Sequence, residues 1–149
     1  DATAMLFRQR GDGPNSRLWS GRAAALWKER LSLLPEAAYG HAVEHELAFG
    51  ESATALDLAL RNVAQRPYGE ARLLLASALL MNNRPQDALD QIARAEVSGW
   101  RSAPLYALKA EAAALAGRPD AAKVARAAAV RINPQIFHPR TLLIWFSHG

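Results

Sequence analysis

Cysteine is missing altogether from the 149 residues. That removes disulfide staples, thiolate metal ligands and a cysteine nucleophile, and it leaves the redox compartment unspecified. Aromatic residues are sparse at 7%, and β-branched residues are few beside 32 alanines, a balance that disfavours a β-sandwich or barrel. No apolar run approaches the roughly 18–20 residues of a membrane helix, and the opening DATAMLFRQR lacks the shape of a signal peptide. A soluble chain is expected, with no membrane span. Because Asp1 rather than methionine leads it, the chain is read as a processed product or a piece of something larger, and bacterial cytoplasm and periplasm both stay open. G-x-S-x-G, Walker and G-x-G-x-x-G sequences are absent, and GDG at 11–13 precedes a proline rather than bridging a strand and a helix.

Lysine is scarce too, 3 against 15 arginines. Arginine binds phosphate well, so a pI near 10.0 raises the question of nucleic acid. The arginines are scattered, however. Residues 1–34 carry +3, 35–68 carry −3, 69–102 carry 0 and 103–149 carry +4, so basic ends flank an acidic segment and no continuous basic stripe forms. Nucleic acid is therefore disfavoured, and abundant arginine and alanine fit the codon bias of a GC-rich bacterium.

What is plentiful is helix former, arranged in a period. NNRPQDAL at 82–89 and AGRPDAAK at 116–123 are offset by 34 residues. Overlaying 69–102 on 103–136 matches Leu74 with Leu108, Ala76 with Ala110, Ala78 with Ala112, Arg84 and Pro85 with Arg118 and Pro119, Ala88 with Ala122, and Ala95 with Ala129. A helix is predicted from about Gly69 to Asn82, a break at Asn83 and Arg84, and a restart at Pro85, where proline's fixed φ suits the first helical turn. In the next copy Gly117 is the left-handed stop and Pro119 the restart. Small residues at Ala76, Ala88, Ala95, Ala110, Ala122 and Ala129 allow close helix approach, with Leu74, Leu75, Leu79, Leu89 and Ile92 filling around them.

These residues resemble the tetratricopeptide repeat family, whose 34-residue helix-turn-helix unit takes a small residue eighth, alanine twentieth and twenty-seventh, and proline near its end. The unit 103–136 supplies Ala110, Ala122, Ala129 and Pro134, with Tyr106 fourth. The unit 69–102 supplies Ala76, Ala88 and Ala95, but Trp100 stands where proline is usual. A poorer unit, 36–68, supplies Tyr39, Val43, Gly50, Ala55 and Pro67, with Asn62 in place of the second-helix alanine. Residues 17–35 read as a lone second helix with Ala23, Trp27 and Pro35 in register. Its partner is expected to be interrupted by GDGPNS at 11–16, which makes 1–16 an irregular segment apart from a short amphipathic helix at 1–10 through Met5, Leu6 and Phe7. Residues 137–149 are expected to cap the last repeat. The resemblance implies an all-α right-handed superhelix of antiparallel helical hairpins, a TPR-like α-solenoid, forming one domain over 1–149.

It also implies where function lives. First helices of such units line a groove, here through Ala37, Gly40, Glu44, Leu47 and Ala48, then Glu70, Leu73, Ser77, Leu80 and Met81, then Pro104, Ala107, Glu111, Ala114 and Leu115. The residues expected to contact a partner are Glu44, Leu47, Glu70, Leu73, Ser77, Leu80, Met81, Glu111 and Leu115. Family members that clamp a C-terminal carboxylate carry basic or amide residues where this chain has Gly40, Glu44, Leu73, Ser77, Ala107 and Glu111, so that clamp is absent. The implied function is a protein-interaction scaffold for a helix or peptide, in bacterial assembly or secretion machinery or as an accessory domain, with no enzymatic activity, cofactor or metal. Self-association is the alternative, with Trp145 and Phe146 of the apolar run Leu142–Phe146 docking into a neighbour. From another class comes His41-Ala42-Val43-Glu44-His45, which matches the inverted zinc motif H-x-x-E-H. Residues four apart share a helix face, so a zinc-hydrolase fragment is conceivable. Its scaffold and downstream carboxylate ligand are missing, and two solvated histidines on an exposed face, with Glu44 and Glu111 as surface charges, are the expected arrangement.

Overall fold

The computed structural model describes residues 1–138. These form eight helices and no strand: α1 (Ala2–Gln9), α2 (Gly13–Leu33), α3 (Pro35–Phe49), α4 (Ser52–Gln65), α5 (Gly69–Met81), α6 (Pro85–Val97), α7 (Ala103–Leu115) and α8 (Pro119–Ile132). The fold is all-α. Connections are short, so each helix packs on the next, and α3 also touches α5 as α5 touches α7.

Local chemistry sets the boundaries. Pro35, Pro85 and Pro119 each open a helix, where the missing N–H loses no intrahelical bond. Gly117 leaves α7 at φ 72°, and Asn83 takes the same left-handed region at φ 58° after α5, a conformation that glycine and asparagine tolerate best. The preceding Asn82 ties two hairpins together, its Nδ2 donating to the Ser52 carbonyl at 2.7 Å and the Ala78 carbonyl at 2.8 Å. Ser102 caps α7 by accepting from the Leu105 N–H at 3.2 Å.

The N-terminal region differs from the sequence expectation. GDGPNS interrupts the helix only at its start: Gly11 turns at φ 74°, Asp12 caps α2 by accepting from the Asn15 N–H, and Pro14 already sits in the first turn of α2. Residues 1–16 are therefore mostly helical, and α2 starts at Gly13 rather than 17 and packs against α1 instead of standing alone. Ser16 Oγ donates to the Ala4 carbonyl at 2.9 Å across that contact. The short amphipathic helix expected at 1–10 is α1 itself, Ala2–Gln9.

Small residues sit at the helix crossings. Ala76, Ala88, Ala95 and Ala129 are wholly buried and Ala110 nearly so; Leu75, Leu79, Ile92, Leu105 and Val43 share one core cluster with Ala76, Ala88 and Ala95. Ala122 is only half-buried and faces a cavity. After α8 the chain turns so that Ile136 is buried with Ala103 and Ala129, and Tyr106, Ala107 and Phe137 pack against that cluster. The rest of the segment expected to cap the last repeat, residues 139–149 with Trp145 and Phe146, lies outside the described residues.

Trp100, where proline was expected, has its own purpose. Its ring lies on buried Gly69, where a Cβ would collide with it. Gly69→Ala is expected to lower stability by about 1–3 kcal/mol through overpacking, whereas in a Trp100→Ala background the same change becomes neutral or stabilising. Thermal melts of the four-member cycle check this. Ala129→Leu should destabilise by a similar ~1–3 kcal/mol for the same reason.

Candidate functional site

An open cavity of about 730 Å³ runs along α3, α5, α7 and α8. Leu47 comes from α3, Leu74, Ser77, Leu80 and Met81 from α5, Ala107, Leu108 and Ala114 from α7, and Ala122 from α8, with Phe137 at one edge. Helical spacing explains the α5 contribution, since 74, 77 and 81 share one face. The charges are segregated. Glu44 and Glu111 stand on the α3 and α7 sides, while Lys123 and Arg126 come from α8. Arg126 places its guanidinium 3.8 Å over the Phe137 ring, a cation–π contact that fixes the aromatic edge.

Six of the expected residues meet here: Glu44, Leu47, Ser77, Leu80, Met81 and Glu111. The other three do not. Leu73 is only 9% exposed and belongs to the core; the repeat register placed it in the groove, but about 100° of rotation per residue gives that position to Leu74. Glu70 lines a second, smaller pocket. Leu115 is 59% exposed near the end of α7 and lines neither cavity. Lys123, Arg126 and Phe137 escaped the sequence reading, which took only first helices as lining. The small residues at Ala122 and Ala114 were the available hint, because they leave the α7–α8 hairpin open on that side.

The second pocket, about 320 Å³, adjoins the first and shares Glu44 and Leu74 with it. It is polar: Glu36, His41, Asn62, Arg66, Tyr68 and Glu70 line it together with Ala37 and Gly40. Burial raises the Tyr68 phenol above its ordinary pKa, an effect that Glu70 adds to, so it stays a neutral hydroxyl.

The H-x-x-E-H residues are not a pair of solvated histidines. His41 is exposed, stacks on Trp27 with centroids 5.3 Å apart, and lies with Nδ1 3.1 Å from a Glu44 carboxylate oxygen. Glu44 itself is buried, not a surface charge. His45 turns inward, 4% exposed, with Nδ1 2.7 Å from Asp1 Oδ1. The other Asp1 oxygen accepts from Trp27 Nε1 at 2.8 Å, so one carboxylate joins α1, α2 and α3. Each imidazole thus keeps its own acid, and among the described residues no group of three or more His, Cys, Asp or Glu side chains is placed to hold a metal.

No protein-family model matches the chain, and no curated protein sequence matches it significantly.

Burial pushes the His45 pKa below its ordinary 6.5, with Glu46 opposing. The Asp1 carboxylate can accept from the N–H of a neutral imidazole, and the N-terminal ammonium adds to the desolvation that disfavours the cation. The folded protein then resists a proton that the unfolded chain accepts. Stability should be fully present above about pH 6.5 and decline as the pH falls below it. Thermal melts from pH 8 to 5 should show that slope, and His45→Gln should flatten it.

Proposed function

We propose that this chain is a TPR-like α-solenoid, a protein-interaction scaffold that holds a helix or extended peptide in the cavity between α3, α5, α7 and α8, without chemistry of its own. The observation carrying this is the open apolar wall of Leu47, Leu74, Leu80 and Met81, because a concave, mostly apolar lining with a few charged groups at its edges is the usual form of a ligand site. The stacking of α3 on α5 and of α5 on α7 supports the solenoid reading, because rows of first helices line grooves in such architectures. Methionine adapts to varied shapes, and the separated charges suit a ligand with basic groups toward Glu44 and Glu111 and an acid toward Lys123 and Arg126. A bacterial assembly or secretion system, or a larger protein carrying this as an accessory domain, is the setting this proposal favours. The zinc-hydrolase alternative loses its support, since His45 is committed to Asp1.

A second reading is self-association through residues 139–149. It is favoured by Phe137, which lines the cavity and is followed in the sequence by the apolar run TLLIWF.

Two leucines separate the groove from the core. Leu80→Glu should keep the helical circular dichroism spectrum while weakening capture of partner by tenfold or more, on the order of 1.4 kcal/mol. Leu73→Glu should instead unfold the protein, because it buries an unpaired carboxylate. Moderate salt should weaken capture only slightly; steep salt dependence together with indifference to Leu80→Glu would favour an arginine-mediated nucleic-acid partner. If deleting 139–149 dissociates an oligomer in sedimentation, the second reading replaces the first.

A further inference from the structure

Asn62 is the anomaly of the interior. It stands where the two clearer repeats carry Ala95 and Ala129, both wholly buried. It is itself only 2% exposed, and its Nδ2 has no hydrogen-bond partner among the described residues. A buried amide donor without an acceptor is unfavourable for the fold, and alanine at a helix crossing would remove the problem. Asn62 lines the polar pocket, opposite Gly40, where even an added Cβ would stand 3.9 Å from Nδ2. Around it are three carboxylates, Glu36, Glu44 and Glu70, against the single guanidinium of Arg66. Glu44 holds His41, but Glu36 and Glu70 form no salt bridge among the described residues.

We propose that this pocket is a subsite for one basic residue of the bound peptide. Its guanidinium or ammonium group sits among Glu36, Glu44 and Glu70, and a carbonyl of the same residue accepts from Asn62 Nδ2. A cation alone would leave the amide unsatisfied, and an anion would meet three carboxylates. A peptide residue carrying both a positive head and a carbonyl satisfies both demands. The inference rests on the groove reading, because the pocket shares Glu44 and Leu74 with the apolar cavity, so a segment filling one continues into the other.

The test is a titration of the ¹⁵N-labelled full chain with N-acetyl-L-argininamide, and with N-acetyl-L-citrullinamide, which keeps the carbonyls but is neutral. The argininamide should shift the Asn62 side-chain amide resonances saturably, with citrullinamide about tenfold weaker. Asn62→Ala should weaken argininamide by about tenfold and at the same time raise Tm, a trade-off that a structural asparagine would not show. Glu70→Gln, which leaves the core untouched, should weaken argininamide without changing Tm and serves if Asn62→Ala misfolds. The proposal is overturned if the Asn62 resonances do not respond, if citrullinamide binds equally, or if Asn62→Ala lowers Tm with binding unchanged, which would make the amide a water-satisfied structural group. Leu80→Glu should leave argininamide binding intact, so loss of the subsite and loss of the groove are told apart: no argininamide response alongside Leu80-dependent partner capture removes the subsite alone.

Discussion

Close approach of helices through alanine is the constraint on which the rest depends. With buried Ala76, Ala88 and Ala95 between the helices, backbones come near enough for Ile92, Leu75 and Leu105 to pack in the same core, and Ala129 plays the same part beside Ala103 and Ile136. Larger side chains would push the hairpins apart, and the packing of α3 on α5 and of α5 on α7 would go with them. The arrangement also explains how a chain poor in aromatics builds a core, since many small buried surfaces replace a few large ones.

The same economy creates the cavity. Alanines along α7 and at Ala122 leave room on one side of the helices while α5 offers its leucines and Met81 to that space. The wall is apolar because α5 is hydrophobic on more than one face: Leu73, Leu75 and Leu79 go inward, and Leu74 and Leu80 outward to the cavity. A helix with apolar residues nearly all round needs partners on nearly all sides, and here one side faces the open cavity.

The N-terminal end is held by different means. Asp1 accepts from Trp27 and bonds His45, Arg8 lies 4.3 Å over the Phe49 ring, and Ser16 reaches the Ala4 carbonyl. These polar and cation–π contacts add to the buried Ala4, Ala23, Ala38 and Ala42 of α1–α3, and they bring α1 into the fold despite its length. His41, on the same helix as His45, is left to the polar pocket with Glu44.

From the amino-acid sequence by itself came the 34-residue period, the helix starts at Pro85 and Pro119, the left-handed stop at Gly117 and the alanines at the crossings. All of these are local properties of the chain, set by φ preferences, missing N–H groups and side-chain size within a turn or two. Much of the cavity wall was legible for the same reason, since Leu47, Ser77, Leu80 and Met81 follow from helix period once the groove side is assumed. Only the tertiary structure decided between Leu73 and Leu74, sent His45 to Asp1 across 44 residues, brought Lys123 and Arg126 to the cavity, and left Asn62 buried without an acceptor. Those outcomes depend on how neighbouring helices rotate against one another, and a rotation of one residue's worth exchanges core for cavity while leaving every local preference satisfied.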